Sequence, residues 1–255
     1  MHLFPVLVLA VSLAFLTSPP ASAQEIEVDL ELALAADGSG SIDDEELAMQ
    51  RAGYAAAITD PEILGLISSG LTGKIAIAYI EWGAPTSQHI IVDWTVIDGP
   101  DSAAVFADAL RTRPRAAYGY NSISEVLAFS AQTMDVNGIK GLRQIIDVSG
   151  DGPNIGGRPL DSVRQLLLDL GMTINALVVA SANGGVNGPG GLPLAQYYEQ
   201  YVIGGPGAFA VVAEGREKFA EAIRRKMILE IAEGVHGTKT AAEALALARR
   251  LGQSQ

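Results

Sequence analysis

Val28-Asp29-Leu30-Glu31-Leu32-Ala33-Leu34-Ala35-Ala36-Asp37-Gly38-Ser39-Gly40-Ser41 changes character part-way along, and that change decides the fold. From Ile26, the apolar residues Ile26, Val28, Leu30, Leu32 and Leu34 alternate with Glu27, Asp29 and Glu31. A period of two is that of a strand with one face buried. From Ala33 to Ala36 no acid separates the apolar residues, so the strand becomes more buried toward its end. It then gives way to Asp37-Gly38-Ser39-Gly40-Ser41, which offers one carboxylate and two hydroxyls on alternate residues. The intervening glycines let the backbone turn tightly enough for the three oxygens to converge. All three are hard donors, which suit magnesium, calcium or manganese better than zinc or copper.

Outward from this loop, residues 43–58 read as a helix whose first turn is acidic, as suits its positive end. Strands are expected at 74–81 and 88–96, joined by a short link through Gly83 and Pro85 that suggests a hairpin. Further helices are expected at 102–110 (capped by Asp101 or Ser102), 122–134, 159–170 and 217–232, and a short one at 192–201. Further strands are expected at 142–148, 173–180 and 208–213, and residues 183–191 form a Gly-rich loop. Strands and helices alternate for most of the length. That order implies an α/β, doubly wound and mostly parallel sheet, with one antiparallel edge strand from the hairpin and helices on both faces. In such sheets ligands sit at the carboxyl ends of the strands, where the Asp37 loop falls.

Three readings of the loop compete. Gly38 and Gly40 begin a GxGxxG dinucleotide motif, but Asp43 stands at the third glycine and Asp37 places negative charge where a pyrophosphate would lie. An EF-hand reading puts Gly40 sixth and Glu46 twelfth, but makes Ala35 the first ligand and needs a helix where the sequence alternates like a strand. The third reading rests on the D-x-S-x-S pattern directly after a hydrophobic strand. Residues 28–41 resemble, over their whole length, the corresponding element of von Willebrand factor A domains, which carries a metal-ion-dependent adhesion site.

That resemblance implies oxygens from two later loops. Tyr118-Gly119-Tyr120-Asn121-Ser122-Ile123 is similar to the family's Gly-Gly-Thr-x-Ile, with Asn121 in place of the Thr. Asn121 or Ser122 as the cap of the next helix explains the same residues. Ile145-Ile146-Asp147-Val148-Ser149-Gly150-Asp151-Gly152 resembles the strand whose end carries an Asp, and Asp151 is the matching residue. The resemblance spans residues 26–232, and its middle, Tyr79-Ile80-Glu81-Trp82 and Val92-Asp93-Trp94-Thr95, looks like an uncharacterised secreted bacterial subgroup. It implies one divalent cation, magnesium foremost with calcium or manganese as alternatives. Ser39 and Ser41 would bind it directly, Asp37 and Asp151 often through water, and the Asn121 carbonyl oxygen directly or through water, with Ser122 as its substitute. A coordination position is left for an acidic side chain of a protein partner.

Catalysis finds less support. A serine hydrolase needs a base beside its nucleophile, and beyond the leader the chain has only His89 and His236. His89 is expected on the hairpin edge away from the strand ends. A hydrolase in which Asp37 and Asp151 hold a water-activating metal is the alternative function, and the EF-hand-like calcium module a further one. The expectation is a binding domain and not an enzyme. Arg111, Arg113 and Arg115 form a basic cluster that an acidic partner or the chain's own acids would meet.

The composition agrees. A net charge of -12 over 255 residues leaves no basic footprint for nucleic acid. The absence of cysteine removes disulfides and thiol chemistry. Residues 3–16 are almost wholly apolar and Ala21-Ser22-Ala23 is a small-residue cleavage pattern, which together predict a signal peptide at 1–23 and a periplasmic or secreted protein. The run of about 14 residues is shorter than the ~20 of a membrane span, and no membrane span is expected after cleavage. The domain is expected at 24–232, followed by a polar, Ala-rich tail at 233–255.

Overall fold

The computed structural model describes residues 25–180, 187–215 and 218–235. The expected signal peptide, residues 183–186 of the Gly-rich loop and nearly all of the tail lie outside the described residues.

The first predicted strand is two. β1 (Ile26–Val28) and β2 (Leu30–Asp37) are separated at Asp29. The Asp29 carboxylate accepts hydrogen bonds from the Thr72 and Gly73 backbone amides at 2.8 and 3.1 Å. The Asp29 backbone N–H donates to Lys74 O at 2.9 Å, so at Asp29 the chain passes from the partner of β1 toward the main sheet. β1 pairs in parallel with the short β5 (Ile139–Gly141), while β2 lies inside the main sheet. Its other acid, Glu31, is fully buried and accepts from Gly141 N and from the side-chain amides of Asn137 and Gln144.

The remaining strands are β3 (Ile75–Trp82), β4 (Gln88–Ile97), β6 (Gln144–Gly150), β7 (Thr173–Ala180) and β8 (Ala210–Glu214). The six-stranded sheet has the order β4-β3-β2-β6-β7-β8. All neighbours are parallel except the edge pair β3–β4. The expected doubly wound α/β sheet with one antiparallel edge strand is therefore the observed fold.

Alternation along β2 divides the core. Leu30, Leu32, Leu34 and Ala36 face one layer, made by α1 (Asp44–Ile58), α2 (Pro61–Ser68), α3 (Pro100–Thr112) and α7 (Phe219–Val235). Ala33 and Ala35 face the other, made by α4 (Ile123–Val136), α5 (Leu160–Asp169) and α6 (Leu194–Tyr197) with the π-helical turn Tyr198–Val202. Helix α2 has no counterpart in the sequence expectation, although its signals are present. Asp60 caps it by accepting from Glu62 N at 2.8 Å, and Pro61 fills the first helical position. It buries Ile63 and Ile67, each worth about 1.5–3 kcal/mol of apolar burial. Helix α3 begins at Pro100, earlier than expected, and Ser102 instead reaches back to accept from Gly99 N. Among the described residues no helix is long and apolar enough to cross a membrane.

β2 is where the chain order reverses, with β3 on one side and β6 on the other. A crevice opens at the carboxyl ends of strands at such a point. Ala36 pairs with Ser149, so the residues that follow β2 and β6 emerge side by side.

Candidate metal centre

The loop after β2 is fixed from several directions. Gly38 N donates to Trp82 O at 2.9 Å, extending the β2–β3 ladder by one step. Ser39 N donates to Asp37 Oδ1 at 2.8 Å, closing an Asx turn. Ile42 N donates to Ser39 O at 3.1 Å. These turns bring the Ser39 and Ser41 hydroxyl oxygens to 3.0 Å from each other. Gly38 lacks a side chain for a reason: a Cβ there would lie 2.9 Å from that of Ala117. The loop then passes into α1 through a capping box, Asp43 accepting from Glu46 N while Glu46 accepts from Asp43 N.

Asp37 is fully buried. Its Oδ1 is occupied by Ser39 N, and its Oδ2 has no hydrogen-bond partner. Burial, and then the negative charge of Asp151, push its carboxyl up to about 7. Gly150 forms the adjacent wall: a Cβ there would sit 3.5 Å from Asp37 Oδ2 and collide with the Tyr198 hydroxyl. Tyr198 is itself buried and donates to Gly152 O at 3.0 Å, which pins the turn that carries Asp151. Burial and the charges of Asp37 and Asp151 raise its own phenol well above the ordinary value, so it remains a donor.

The third segment enters between these two. Gly40 N donates to Gly119 O at 2.8 Å, Ser122 N to Gly83 O at 2.8 Å, and Ile155 N to Asn121 O at 2.5 Å. Asn121 is buried, and its amide Nδ2 donates to Asp151 Oδ1 at 3.2 Å. The structure also bears on whether Asn121 or Ser122 merely caps α4. Ser122 stands at the N-cap but makes no side-chain cap bond. Asn154 supplies it from the neighbouring loop, accepting from Ser124 N at 2.8 Å. Asn121 thus serves Asp151 and not the helix end. Direct contacts join Ser39 to Ser41 and Asn121 to Asp151, and the charge of Asp151 bears on Asp37.

Several residues that hold the site were not anticipated. Arg115 Nη2 donates to Gly38 O, Ser39 O and Ile42 O at 2.8 Å each, and Nη1 pairs with Asp44. Of the three clustered arginines it is the one that stitches the loop. Arg51 and the fully buried Glu81 form an ion pair. Arg51 also donates to the Arg113 and Pro114 carbonyls, and Glu81 accepts from Ala116 N at 3.2 Å. A lone acid in an otherwise apolar strand was the available signal for Glu81. Arg51, on a helix with many polar residues, gave none.

His89 is not where it was expected. β4 runs antiparallel to β3, so its first residues lie against the carboxyl end of β3, and His89 pairs with Glu81. It sits at the site end of the sheet, one layer behind Tyr118, with ring centroids 6.3 Å apart. Its Nε2 is 3.1 Å from Ser87 Oγ. Ser87 is fully buried and accepts from Tyr118 N, so this Ser–His pair supports the loop and offers no exposed nucleophile. The EF-hand reading also fails on geometry, because the segment entering the loop is the buried strand β2. Among the described residues no three His, Cys, Asp or Glu side chains are grouped so as to hold a metal ion by themselves.

The sequence profile of a protein family of unknown function, DUF1194, matches residues 27–235, and the chain belongs to that family. No curated protein matches the sequence. Solved structures share the fold at low identity. A von Willebrand factor type A protein from Catenulispora acidiphila is 14% identical, with a TM-score of 0.54 over 82% of this chain and 43% of that one. The pilus adhesin SpaC from Lactobacillus rhamnosus GG is 12% identical, with a TM-score of 0.59 over 82% of this chain and 31% of its own. Proximal thread matrix protein 1 from the mussel byssus, solved with a zinc-occupied MIDAS motif, is 14% identical, with a TM-score of 0.50 over 78% and 46% of the two chains. The chain spans less than half the length of each. The fold is thus of the von Willebrand factor A type.

Proposed function

We propose that this protein is an exported protein-interaction domain that presents one divalent cation to an acidic side chain of its partner. Ser39 and Ser41 ligate the cation, Asp37 and Asp151 hold it directly or through water, and Asn121 orients Asp151. Magnesium is the first choice, with calcium and manganese as alternatives. The mussel protein's zinc-occupied motif on the same fold supports a cation at this end of the sheet.

The observation that carries the reading is the Asp37 carboxylate. A fully buried acid with one oxygen unpartnered, beside a second carboxylate and two converging hydroxyls, carries a desolvation cost that a cation would offset. The donors are all oxygen, the set hard divalent ions prefer. Two carboxylates balance a divalent charge, so the loaded site is neutral and still accepts an anion. Arg115 directs its hydrogen bonds to backbone carbonyls and Asp44, not to Asp37 or Asp151. The apolar stretch at residues 3–16 followed by Ala21-Ser22-Ala23 supports export.

Titration calorimetry with magnesium, calcium and manganese tests the reading. One site per chain is expected, and it should be absent in Asp37→Ala. No heat from the unsubstituted chain at millimolar ion would overturn it.

A further inference from the structure

The two loops that carry Asn121 and Asp151 expose three large apolar side chains. Tyr118 is 57% exposed, Tyr120 74% and Ile155 51%. A single exposed apolar residue needs no explanation, but these three belong to one hydrogen-bonded frame. Tyr118 and Tyr120 flank Gly119, whose positive φ of 83° sets the turn between them and whose carbonyl accepts from the metal loop at Gly40 N. Ile155 N donates to Asn121 O, the residue next to Tyr120.

The backbone beneath is held firmly. Tyr118 N donates to Ser87 Oγ at 3.0 Å, Tyr118 O accepts from Ala84 N at 2.8 Å, and Ser122 N donates to Gly83 O at 2.8 Å. A Cβ on Gly83 would collide with Tyr118 O, so the strap lies directly on the β3–β4 turn. Tyrosine has few rotatable bonds and so loses little freedom when a partner covers it, and it is enriched among residues that dominate interface energy.

These two loops are themselves poorer in acid than the chain as a whole. Residues 113–122 and 151–159 carry three arginines, Arg113, Arg115 and Arg158, and one acid, Asp151, in a protein of net charge -12. Arg113 is exposed, and the Arg158 side chain is 62% exposed while pairing with Glu125. Arg115 is taken up by Asp44 and Arg158 by Glu125, which leaves the exposed Arg113 to attract an acidic group of a partner.

We infer that Tyr118, Tyr120 and Ile155 form an apolar platform beside the cation that takes a protein loop whose acidic residue is neighboured by an aromatic or aliphatic side chain. The inference rests on the proposed function, since the acid is the group the cation receives. The platform would set which acidic loops bind, the acid and the cation whether any do.

A random peptide display library panned on the full chain, with and without magnesium, tests both. The expected result is magnesium-dependent enrichment of peptides with Asp or Glu next to an aromatic or aliphatic residue. A peptide so selected should bind Tyr118→Ser/Tyr120→Ser about tenfold more weakly or worse, while calorimetric magnesium binding is unchanged. Because both side chains are exposed, that second measurement also reports that the variant is folded. Acidic peptides without an apolar neighbour, bound equally by the double variant, would overturn the platform and leave the cation reading intact. Enrichment indifferent to magnesium, or none, would overturn the cation-dependent reading and the platform with it.

Discussion

The Asp37 carboxyl is pushed up to about 7, first by burial and then by Asp151, and a cation accepts only its ionised form. Binding must therefore expel a proton below that pH. Magnesium affinity is expected to be flat above about pH 7 and to fall about tenfold for each unit below it. Calorimetry across pH 5.5 to 8, in buffers of different ionisation enthalpy, reads both the affinity and the released proton. An affinity constant over this range would contradict the assignment. The same shift acts on the protein without ion. A folded value above the ordinary 3.8 of Asp means that Asp37 contributes stability fully below about pH 4 and loses it as pH rises through 7. Asp37→Asn should remove that slope, and saturating magnesium should remove it from the unsubstituted chain as well.

Helix α7 is tied to the sheet by a buried charged cluster. Lys226 Nζ lies 2.6 Å from Asp147 Oδ1 and also pairs with Glu230. Asn175 donates to Glu230 at 3.0 Å, and the Lys226 ammonium stands 5.4 Å from the centre of the Phe209 ring. Two carboxylates share one ammonium, and all three side chains are almost wholly inaccessible. Burial and then Glu230 raise the Asp147 carboxyl, while Lys226 opposes them. Removing the cation alone would leave the acids uncompensated. Lys226→Met is expected to cost about 3–5 kcal/mol, read by chemical denaturation at neutral pH. Because a raised acid contributes its stability at low pH and loses it as pH rises, the deficit should shrink as the solution is acidified. A loss below about 1 kcal/mol would show the cluster to be dispensable. This anchor was not legible in the sequence, where Asp147 reads only as an acid inside a strand and Lys226 as one of several cations on a helix. What was legible at this scale followed from periodicity. The β2 alternation and the apolar strands placed the sheet, whereas the Asp29 side chain, at the break, meets amides of a distant loop that no local pattern announces.

For the whole molecule, the consequence of the topology is that three distant stretches of chain meet only when the sheet is formed. Asp37 ends β2 with Ser39 and Ser41 just beyond it, Asn121 precedes α4, and Asp151 follows β6. The Asp37 loop and Asp151 were readable from their flanking patterns, because strand-end loops in a parallel sheet share one edge, whereas Asn121, between α3 and α4, was reached only through the resemblance of its Gly-containing stretch. The residues that hold them together were not readable. Arg115 acts on three backbone carbonyls, and carbonyls in a turn have no sequence signature. Tyr198 acts through its fit against Gly150, a contact between segments far apart in the chain. An unfolded chain cannot assemble this site, so a cation that binds it binds the native state alone. At a hundred times its dissociation constant such a ligand adds about 2.7 kcal/mol of stability. For a domain of this size each kcal/mol moves the melting temperature by roughly 2–4 °C. Magnesium at that ratio is therefore expected to raise the midpoint by roughly 5–10 °C, scanned by calorimetry at pH 7.5, and to leave Asp37→Ala where it was. An equal rise in both proteins would place the ion elsewhere, since only a site that uses the Asp37 carboxylate can lose its effect with that side chain.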